Sequence, residues 1–192
     1  MSRGVKSVLI VGVGGQGTLL ASRLLGNAVI SRGYDVKVSE VHGMSQRGGS
    51  VVTYVRYGEK VDSPILEQGE ADLIISFEKL EAVRYLPFLK KGGTIIVNTQ
   101  EIDPMPVITG AASYPQDIIL KLREAGVHVA DVDALTLAEQ AGSSKAVNVV
   151  LMGVVAQHMQ IERNLWLEPI RNTVPPKFVD LNLKAFELGY QA

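Results

Sequence analysis

Cysteine is absent from this sequence of 192 residues, and that absence removes several kinds of chemistry. The chain forms no disulfide, offers no thiol nucleophile and supplies no thiolate to zinc or to an iron–sulfur cluster. Strong charge of either sign is missing too, since the formal net charge is -1 and no stripe of Lys and Arg stands out. Nucleic acid and anionic membrane surfaces are therefore not favoured partners.

Long apolar runs are also missing. No segment approaches the roughly 18 residues of a membrane span, and the residues before the first predicted strand lack the apolar centre of a signal peptide. We therefore expect a cytoplasmic protein. A hydrophobic share of 46% and a charged share of 20% are typical of a globular chain, which at this length buries about 70% of its unfolded surface. We expect residues 1–192 to form a single domain.

What the sequence does contain is glycine at the end of an apolar strand. Residues 8–17 read VLIVGVGGQG, and an amphipathic helix follows at once. This is the opening unit of a Rossmann-like sheet, in which glycines allow a sharp turn and bring backbone N–H groups close to an anion. The glycines could instead serve only the turn and a subunit contact, and the glutamine could simply open the helix. The cofactor-binding candidates of this first glycine loop are Gly12, Gly14, Gly15, Gln16 and Gly17.

The rest of the pattern predicts an α/β fold, a Rossmann-like three-layer sandwich with a mostly parallel sheet and one β-hairpin. The alternating residues 50–57 and the turn at 58–60 predict that hairpin ahead of Val61. Asp180 is the expected N-cap of the last helix. Further strands are predicted at 36–40, 71–77, 94–98 and 127–132, and helices at 78–89, 115–124, 134–141, 146–159 and 181–188.

A second polar, glycine-rich loop follows the second strand, at residues 41–49. It lies beyond the carboxyl end of a strand, which is where open parallel sheets bind ligands. Arg47 is the first candidate for a function, because a planar guanidinium suits bidentate binding of a carboxylate or phosphate. His42 is a catalytic candidate for proton exchange, although a lone histidine in a loop more often makes structural hydrogen bonds.

The remaining candidates lie beside these loops or in a late helix. Gly48 and Gly49 accompany Arg47 as cofactor-binding candidates, and Ser45 and Gln46 are loop or interface candidates. Glu40 stands about where a dinucleotide enzyme keeps its ribose-binding acid. Asn148 could bond a ligand or cap its helix.

Together these motifs resemble the small, gamma-type subunits of the 2-oxoacid:ferredoxin oxidoreductases. The triplet at 47–49 matches the wider family, whereas residues 42–46 resemble the branch that acts on indolepyruvate. The likeness covers GVGGQG at 12–17, EVHGMSQRGGSV at 40–51, the segment at 69–72, GGTIIVNT at 92–99 and NVVLMG at 148–153.

The resemblance implies the small subunit of a thiamine-diphosphate-dependent indolepyruvate, or aryl pyruvate, ferredoxin oxidoreductase. Such an enzyme decarboxylates its substrate oxidatively to an aryl-acetyl-CoA, with coenzyme A taking the acyl group and ferredoxin the electrons. The resemblance also implies that thiamine diphosphate, magnesium and iron–sulfur clusters belong to a large alpha subunit. This chain would complete the active site and the coenzyme A site, would hold no metal, and would be inactive alone.

Two other interpretations stay open on the residues alone. The glycine motif and Glu40 favour a stand-alone NAD(P)- or FAD-binding Rossmann oxidoreductase, although the chain leaves no room for a substrate domain. A regulatory nucleotide-binding module fits the fold but has no further feature in its favour.

Overall fold

A mixed six-stranded sheet forms the centre of the computed structural model, which describes residues 4–41 and 49–192. The strands follow the order β2-β3-β1-β4-β5-β6, and only β3 runs against its neighbours. The expected α/β class with a mostly parallel sheet is confirmed. The strands are β1 (Lys6–Val13), β2 (Asp35–Val41), β3 (Ser50–Gly58), β4 (Ala71–Ser76), β5 (Leu89–Asn98) and β6 (His128–Val132).

Helices cover both faces of the sheet and give three layers. One face carries α1, α5, α6, α7 and α8, packed on Val8 and Ile10 of β1. The other face carries α2 and α4, packed on Leu9 and Val11. The helices are α1 (Thr18–Ile30), α2 (Lys79–Arg84), α3 (Met105–Ile108), α4 (Ile118–Glu124), α5 (Ala134–Ala141), α6 (Val147–His158), α7 (Asn164–Thr173) and α8 (Val179–Tyr190).

Strand β1 is buried along nearly its whole length, because both of its faces are covered by helices. A strand covered on both sides is a continuous apolar run rather than an alternating one, which is why the sequence marks it so clearly. No helix in the described part of the chain is long and apolar enough to cross a membrane.

The hairpin exists, but its predicted position is wrong. β3 pairs antiparallel with β2, from Asp35↔Gly58 to Val41↔Val52, so the hairpin connection is the second glycine-rich loop. Residues 59–70 contain no strand. The turn at 58–60 was misleading because a turn signal marks where a strand ends and does not identify the strand's partner.

Several helix ends also differ from the expected ones. The helix predicted at 78–89 stops at Arg84, ahead of a short 3₁₀ turn that contains Pro87. The helix expected from 115 begins at Ile118. Asp180 lies inside the first turn of α8, whose N-cap is Phe178. Helix α7 was missed, because Pro169 inside it interrupts the helical pattern.

Helices α6 and α8 approach each other backbone to backbone. A Cβ built on Gly189 would lie 1.9 Å from the carbonyl oxygen of Val150, and one on Gly153 would lie 2.2 Å from that of Phe186. Every residue of α6 from Val147 to Ala156 is buried. The two glycines therefore set the spacing of the helix pair that covers one face of the sheet.

Candidate functional site

The two glycine-rich loops meet at the carboxyl edge of the sheet. Val13 of β1 pairs with Ser50 of β3, and the Gly14 N–H donates to the carbonyl oxygen of Gly49 over 2.8 Å. The end of β2 reaches the same edge, since Val41 pairs with Val52. The second loop therefore begins and ends at the same edge of the sheet as the first loop, and its Gly49 end is bonded to the first loop. The candidates His42, Ser45, Gln46, Arg47 and Gly48 lie outside the described residues.

Gln16 uses its side-chain amide within the protein. Its Oε1 accepts from the Val13 N–H over 2.7 Å, and its Nε2 donates to the carbonyl oxygen of Phe77 over 3.1 Å. Nε2 also lies 3.3 Å from Oε1 of Gln100, which receives a second donor from Asn98. These bonds join the loops after β1, β4 and β5, so the structure gives Gln16 a positioning role at the carboxyl edge.

Asn148 connects the first glycine loop to helix α6. Its Nδ2 donates to the carbonyl oxygen of Gly17 over 3.3 Å, and its Oδ1 accepts from the N–H of Val149. Gly17 has a φ of 85°, and a Cβ there would lie 2.5 Å from Asn148 Nδ2. Only glycine combines this positive φ with so close a neighbour. The N-cap residue of α6 is Ala146, so Asn148 lies inside the first turn of the helix and holds the first glycine loop against it.

A buried carboxylate cluster, not recognised in the sequence, supports the same edge. Glu78, 1% exposed, caps α2 by accepting from the Glu81 N–H over 2.9 Å. It also accepts from the Ile102 N–H over 3.2 Å and from the Tyr114 hydroxyl. The sequence does contain a signal for this helix cap. Glu-Lys-Leu-Glu follows a buried strand and places two acids at the spacing of an N-cap and an N3 residue. The contact with Tyr114 has no local signal.

Glu81 links this cluster to the second loop. The Ser50 hydroxyl donates to Oε2 of Glu81 and lies 3.3 Å from the hydroxyl of Tyr85. Arg84 Nε donates to Oε1 of the same carboxylate over 3.0 Å. Since Ser50 follows Gly49 directly, α2 fixes one end of the second loop through this carboxylate.

A groove of about 590 Å³ runs between α1 and the edge strand β2. Arg23 and Asn27 line it from the helix, and Val38 and Glu40 line it from the strand. Glu40 accepts a 3.3 Å hydrogen bond from the Ser22 hydroxyl, whereas the Arg23 guanidinium has no hydrogen-bond or ion-pair partner among the described residues. The groove thus offers an available cation close to the start of the second loop. The sequence showed Arg23 only as part of the polar face of α1.

The strand order argues against a dinucleotide-binding enzyme. In that class the second strand lies beside the first and places its acid against the ribose. Here β3 separates β2 from β1, which moves Glu40 away from the first loop by about 4.8 Å, the spacing of neighbouring strands. The Gly14 N–H, which would face a pyrophosphate, is bonded to Gly49.

This chain lacks the thiolate donors that ligate iron–sulfur clusters in proteins, because its sequence has no cysteine. Among residues 4–41 and 49–192, no three His, Asp or Glu side chains converge as metal ligands.

Because of two tyrosines, we expect the free energy of unfolding to fall in alkali. Burial, and next the Glu78 carboxylate, raise the pKa of Tyr114 above its usual range. Burial likewise raises the pKa of Tyr57 to about 12, with Asp72 adding to the effect. The folded state therefore holds both protons more tightly than the unfolded state. Their contribution is complete below about pH 10, the unfolded tyrosine pKa, and falls as the pH rises above it.

The expected slope is at most about 1.4 kcal/mol of unfolding free energy per pH unit for each tyrosine. Urea unfolding between pH 9 and pH 12 measures it. In the double variant Tyr57→Phe, Tyr114→Phe the slope above pH 10 should flatten, whatever the variant's stability at neutral pH. An unchanged slope would show that other groups cause the alkaline loss.

Comparisons with known proteins agree with this geometry. Residues 7–192 match the family described as pyruvate ferredoxin/flavodoxin oxidoreductase. Indolepyruvate oxidoreductase subunit IorB of Thermococcus kodakarensis is 47% identical over 191 residues, covering 97% of this chain and 95% of that protein. Pyruvate oxidoreductase subunit PORC of Thermotoga maritima has the same fold, with a TM-score of 0.74 at 20% identity, covering 97% of this chain and 96% of that one.

A larger chain contains the same fold. The 2-oxoglutarate:ferredoxin oxidoreductase of Magnetococcus marinus, solved with 2-oxoglutarate, coenzyme A and succinyl-CoA bound, superposes with a TM-score of 0.73 at 17% identity. The match covers 99% of this chain but 31% of that chain. The fold of this chain therefore corresponds to one part of a longer polypeptide in that enzyme.

The relatives that match nearly the whole chain are subunits of oxidoreductases, and this chain is an oxidoreductase subunit of the same class. The chain belongs to the pyruvate ferredoxin/flavodoxin oxidoreductase family. Its likeness to the small subunits of indolepyruvate oxidoreductases, expected from the loop motifs, is confirmed over nearly the whole length.

Proposed function

We propose that this chain is the small subunit of an indolepyruvate, or aryl pyruvate, ferredoxin oxidoreductase and that it completes the coenzyme A site. The main support for the proposal is the hydrogen bond from Gly14 to Gly49. It joins, at one edge of the sheet, the two loops whose sequences resemble those of the family. Residues 1–192 act in this proposal as one gamma-type unit. The large alpha subunit contributes thiamine diphosphate and the iron–sulfur clusters.

In the proposed reaction the 2-oxoacid loses carbon dioxide and its acyl group is oxidised. Two electrons leave for ferredoxin, and the acyl group forms a thioester with the thiol of coenzyme A. Thiamine diphosphate supplies the carbanion chemistry when it is bound to the partner. This chain binds and orients coenzyme A.

The groove between α1 and β2 is our candidate for the anionic part of coenzyme A. Arg23 supplies a guanidinium with no partner among the described residues. Helix α1 begins at Thr18, one turn before its first groove-lining residue, Ser22, and its N-cap residue Gly17 provides no side-chain cap. The first N–H groups of such a helix have no partner within the helix and attract phosphate. Arg47, in the connection that follows Val41, is the second proposed cation. The bound coenzyme A in the Magnetococcus marinus enzyme supports the choice of ligand.

Reconstitution tests the proposal. The purified chain alone should not oxidise indolepyruvate, and the complex with its large subunit should reduce ferredoxin in a coenzyme A-dependent reaction. Turnover by the chain alone would contradict the role of a completing subunit. A complex that turns over other 2-oxoacids but not aryl pyruvates would contradict the substrate.

Charge removal in the complex tests the coenzyme A site. Arg47→Ala should cost about 2 kcal/mol of transition-state binding, or about 30-fold in kcat/KM, since one charged hydrogen bond is lost. Arg23→Gln should raise the KM for coenzyme A about tenfold with little change in kcat. Arg123→Gln is the matched control, because Arg123 lies on α4 at the opposite face and pairs with Asp131. If kcat and the KM for coenzyme A are unchanged in both Arg47→Ala and Arg23→Gln, neither arginine belongs to the coenzyme A site.

A further inference from the structure

A second cavity, of about 400 Å³, opens where helices α1, α6 and α8 begin. Among the described residues, it shares no lining residue with the groove between α1 and β2. Its volume falls within the range of about 300–1,000 Å³ that is usual for small-molecule sites. We refer to it as the helix-start cavity.

The walls of the helix-start cavity are mainly apolar. Leu20 lines it from α1, Leu181 from α8, and Val174 and Pro175 from the segment after α7. Phe178, whose side chain is 43% exposed, completes the wall. The Lys177 ammonium lies 4.8 Å from the centre of the Phe178 ring. The part of this ring that faces the aliphatic side chains of the cavity suits the packing of a second flat ring.

Two polar side chains in the helix-start cavity have unused hydrogen-bonding groups. Asn182 is 9% exposed; its Nδ2 donates to the carbonyl oxygen of Phe178 over 2.8 Å, while its Oδ1 accepts from no described residue. The Lys145 ammonium likewise has no ion-pair or hydrogen-bond partner in the described part of the chain. Oδ1 of Asn182 is not among the buried, unpartnered atoms of the described residues and is therefore open to water. An occupant that displaces this water must supply an N–H or O–H group, because an acceptor buried without a donor is costly.

The surrounding backbone adds positive potential. Helices α1, α6 and α8 are each at least 12 residues long, and none has a side-chain cap from its N-cap residue. Their N-terminal ends carry partial positive charge. No acidic side chain is among the described residues that line the cavity, and Asp180 on α8 is exposed outside it. A negatively charged group is therefore favoured near Lys145.

We propose that the helix-start cavity binds a small aromatic carboxylate that carries a hydroxyl or N–H donor. Its ring packs against Phe178, Leu20 and Leu181. Its carboxylate pairs with the Lys145 ammonium, and its donor reaches Oδ1 of Asn182. The site is separate from the groove proposed for coenzyme A and requires no reaction at the bound molecule.

Calorimetry and amide NMR on the full chain, without partner or coenzyme A, test this site. The probe is 4-hydroxyphenylacetate, with 4-hydroxyphenylacetamide lacking the charge and phenylacetate lacking the hydroxyl. We expect saturable binding of the probe, about tenfold weaker binding of the amide, and about fivefold weaker binding of phenylacetate. The largest amide shifts should fall in residues 143–149 and 178–182. Because coenzyme A is absent, failure here leaves the proposed function untouched.

The Lys145→Gln variant tests how much the positive charge of Lys145 contributes to binding of the carboxylate. In this variant the acid and its amide should bind equally, since the discrimination comes from the ammonium. Lys121→Gln on α4 is the matched control and should keep the tenfold difference. Equal binding of acid and amide to the unmodified chain, an undiminished preference in Lys145→Gln, or shifts centred elsewhere would each overturn the proposal.

Discussion

Gly189→Ala is expected to lower the free energy of unfolding by about 3 kcal/mol, at the upper end of what overpacking usually costs. The new methyl group would lie 1.9 Å from the carbonyl oxygen of Val150. No rotamer change relieves this contact, because the backbone fixes the position of the Cβ and the oxygen belongs to the backbone. Helices α6 and α8 would have to separate. Phe186 and Trp166, both fully buried beside this contact, would lose packing as they did so.

Thermal and urea unfolding measure the effect, which for a chain of this length corresponds to a fall in Tm of about 6–12 °C. Gly26→Ala is the matched control. Gly26 is also buried in a helix, but a Cβ there meets nothing within 4 Å. That substitution should leave stability unchanged or raise it by up to about 1 kcal/mol through helix propensity. If both variants unfold alike, the close approach of α6 and α8 does not limit stability.

The first βα unit was predictable from the sequence because its determinants are local. An apolar run, glycines and an amphipathic helix follow one another within residues 8–33, and each constrains the next. The continuous apolar run of β4 likewise predicted a strand that is buried on both faces. The carboxyl-edge position of both loops followed from these elements.

What the sequence did not predict depends on pairs that are distant along the chain. The insertion of β3 between β1 and β2 is a choice of pairing, and alternation in residues 50–57 is compatible with several partners. The contact between Glu78 and Tyr114, and that between Gly153 and Gly189, each join residues of different elements that carry no shared local pattern. Arg23 was visible as a polar residue, but only the edge position of β2 reveals the groove beside it.

Glu78→Ala is expected to lower the free energy of unfolding by about 4 kcal/mol, because several buried donors lose their acceptor at once. The Glu81 N–H, the Ile102 N–H and the Tyr114 hydroxyl all donate to this carboxylate. Loss of the N-cap of α2 is part of that cost and is worth about 1 kcal/mol. Urea unfolding at neutral pH measures the change.

Two further variants separate the buried network from a general effect of losing a carboxylate. Glu78→Gln keeps the side-chain shape and one acceptor oxygen but replaces the other with a donor, so it should cost about half as much, about 2 kcal/mol. Glu124→Ala removes an exposed carboxylate at the end of α4 and should stay within about 0.5 kcal/mol of the unmodified chain. A Glu78→Ala variant as stable as Glu124→Ala would contradict the assigned network.

The Glu78→Ala substitution should also disturb the candidate site, because α2 connects Glu78 to the second loop. Glu81 holds Ser50 at the start of β3, and Gly49 beside it accepts the bond from Gly14. When α2 loses its cap, we expect the two loops to lose their fixed separation, so the KM for coenzyme A in the complex should rise even where the variant remains folded. Amide exchange of the Gly14 N–H reports this directly. It should accelerate in Glu78→Ala and stay slow in Glu124→Ala, because only the first change disturbs the carboxylate cluster that supports the loops.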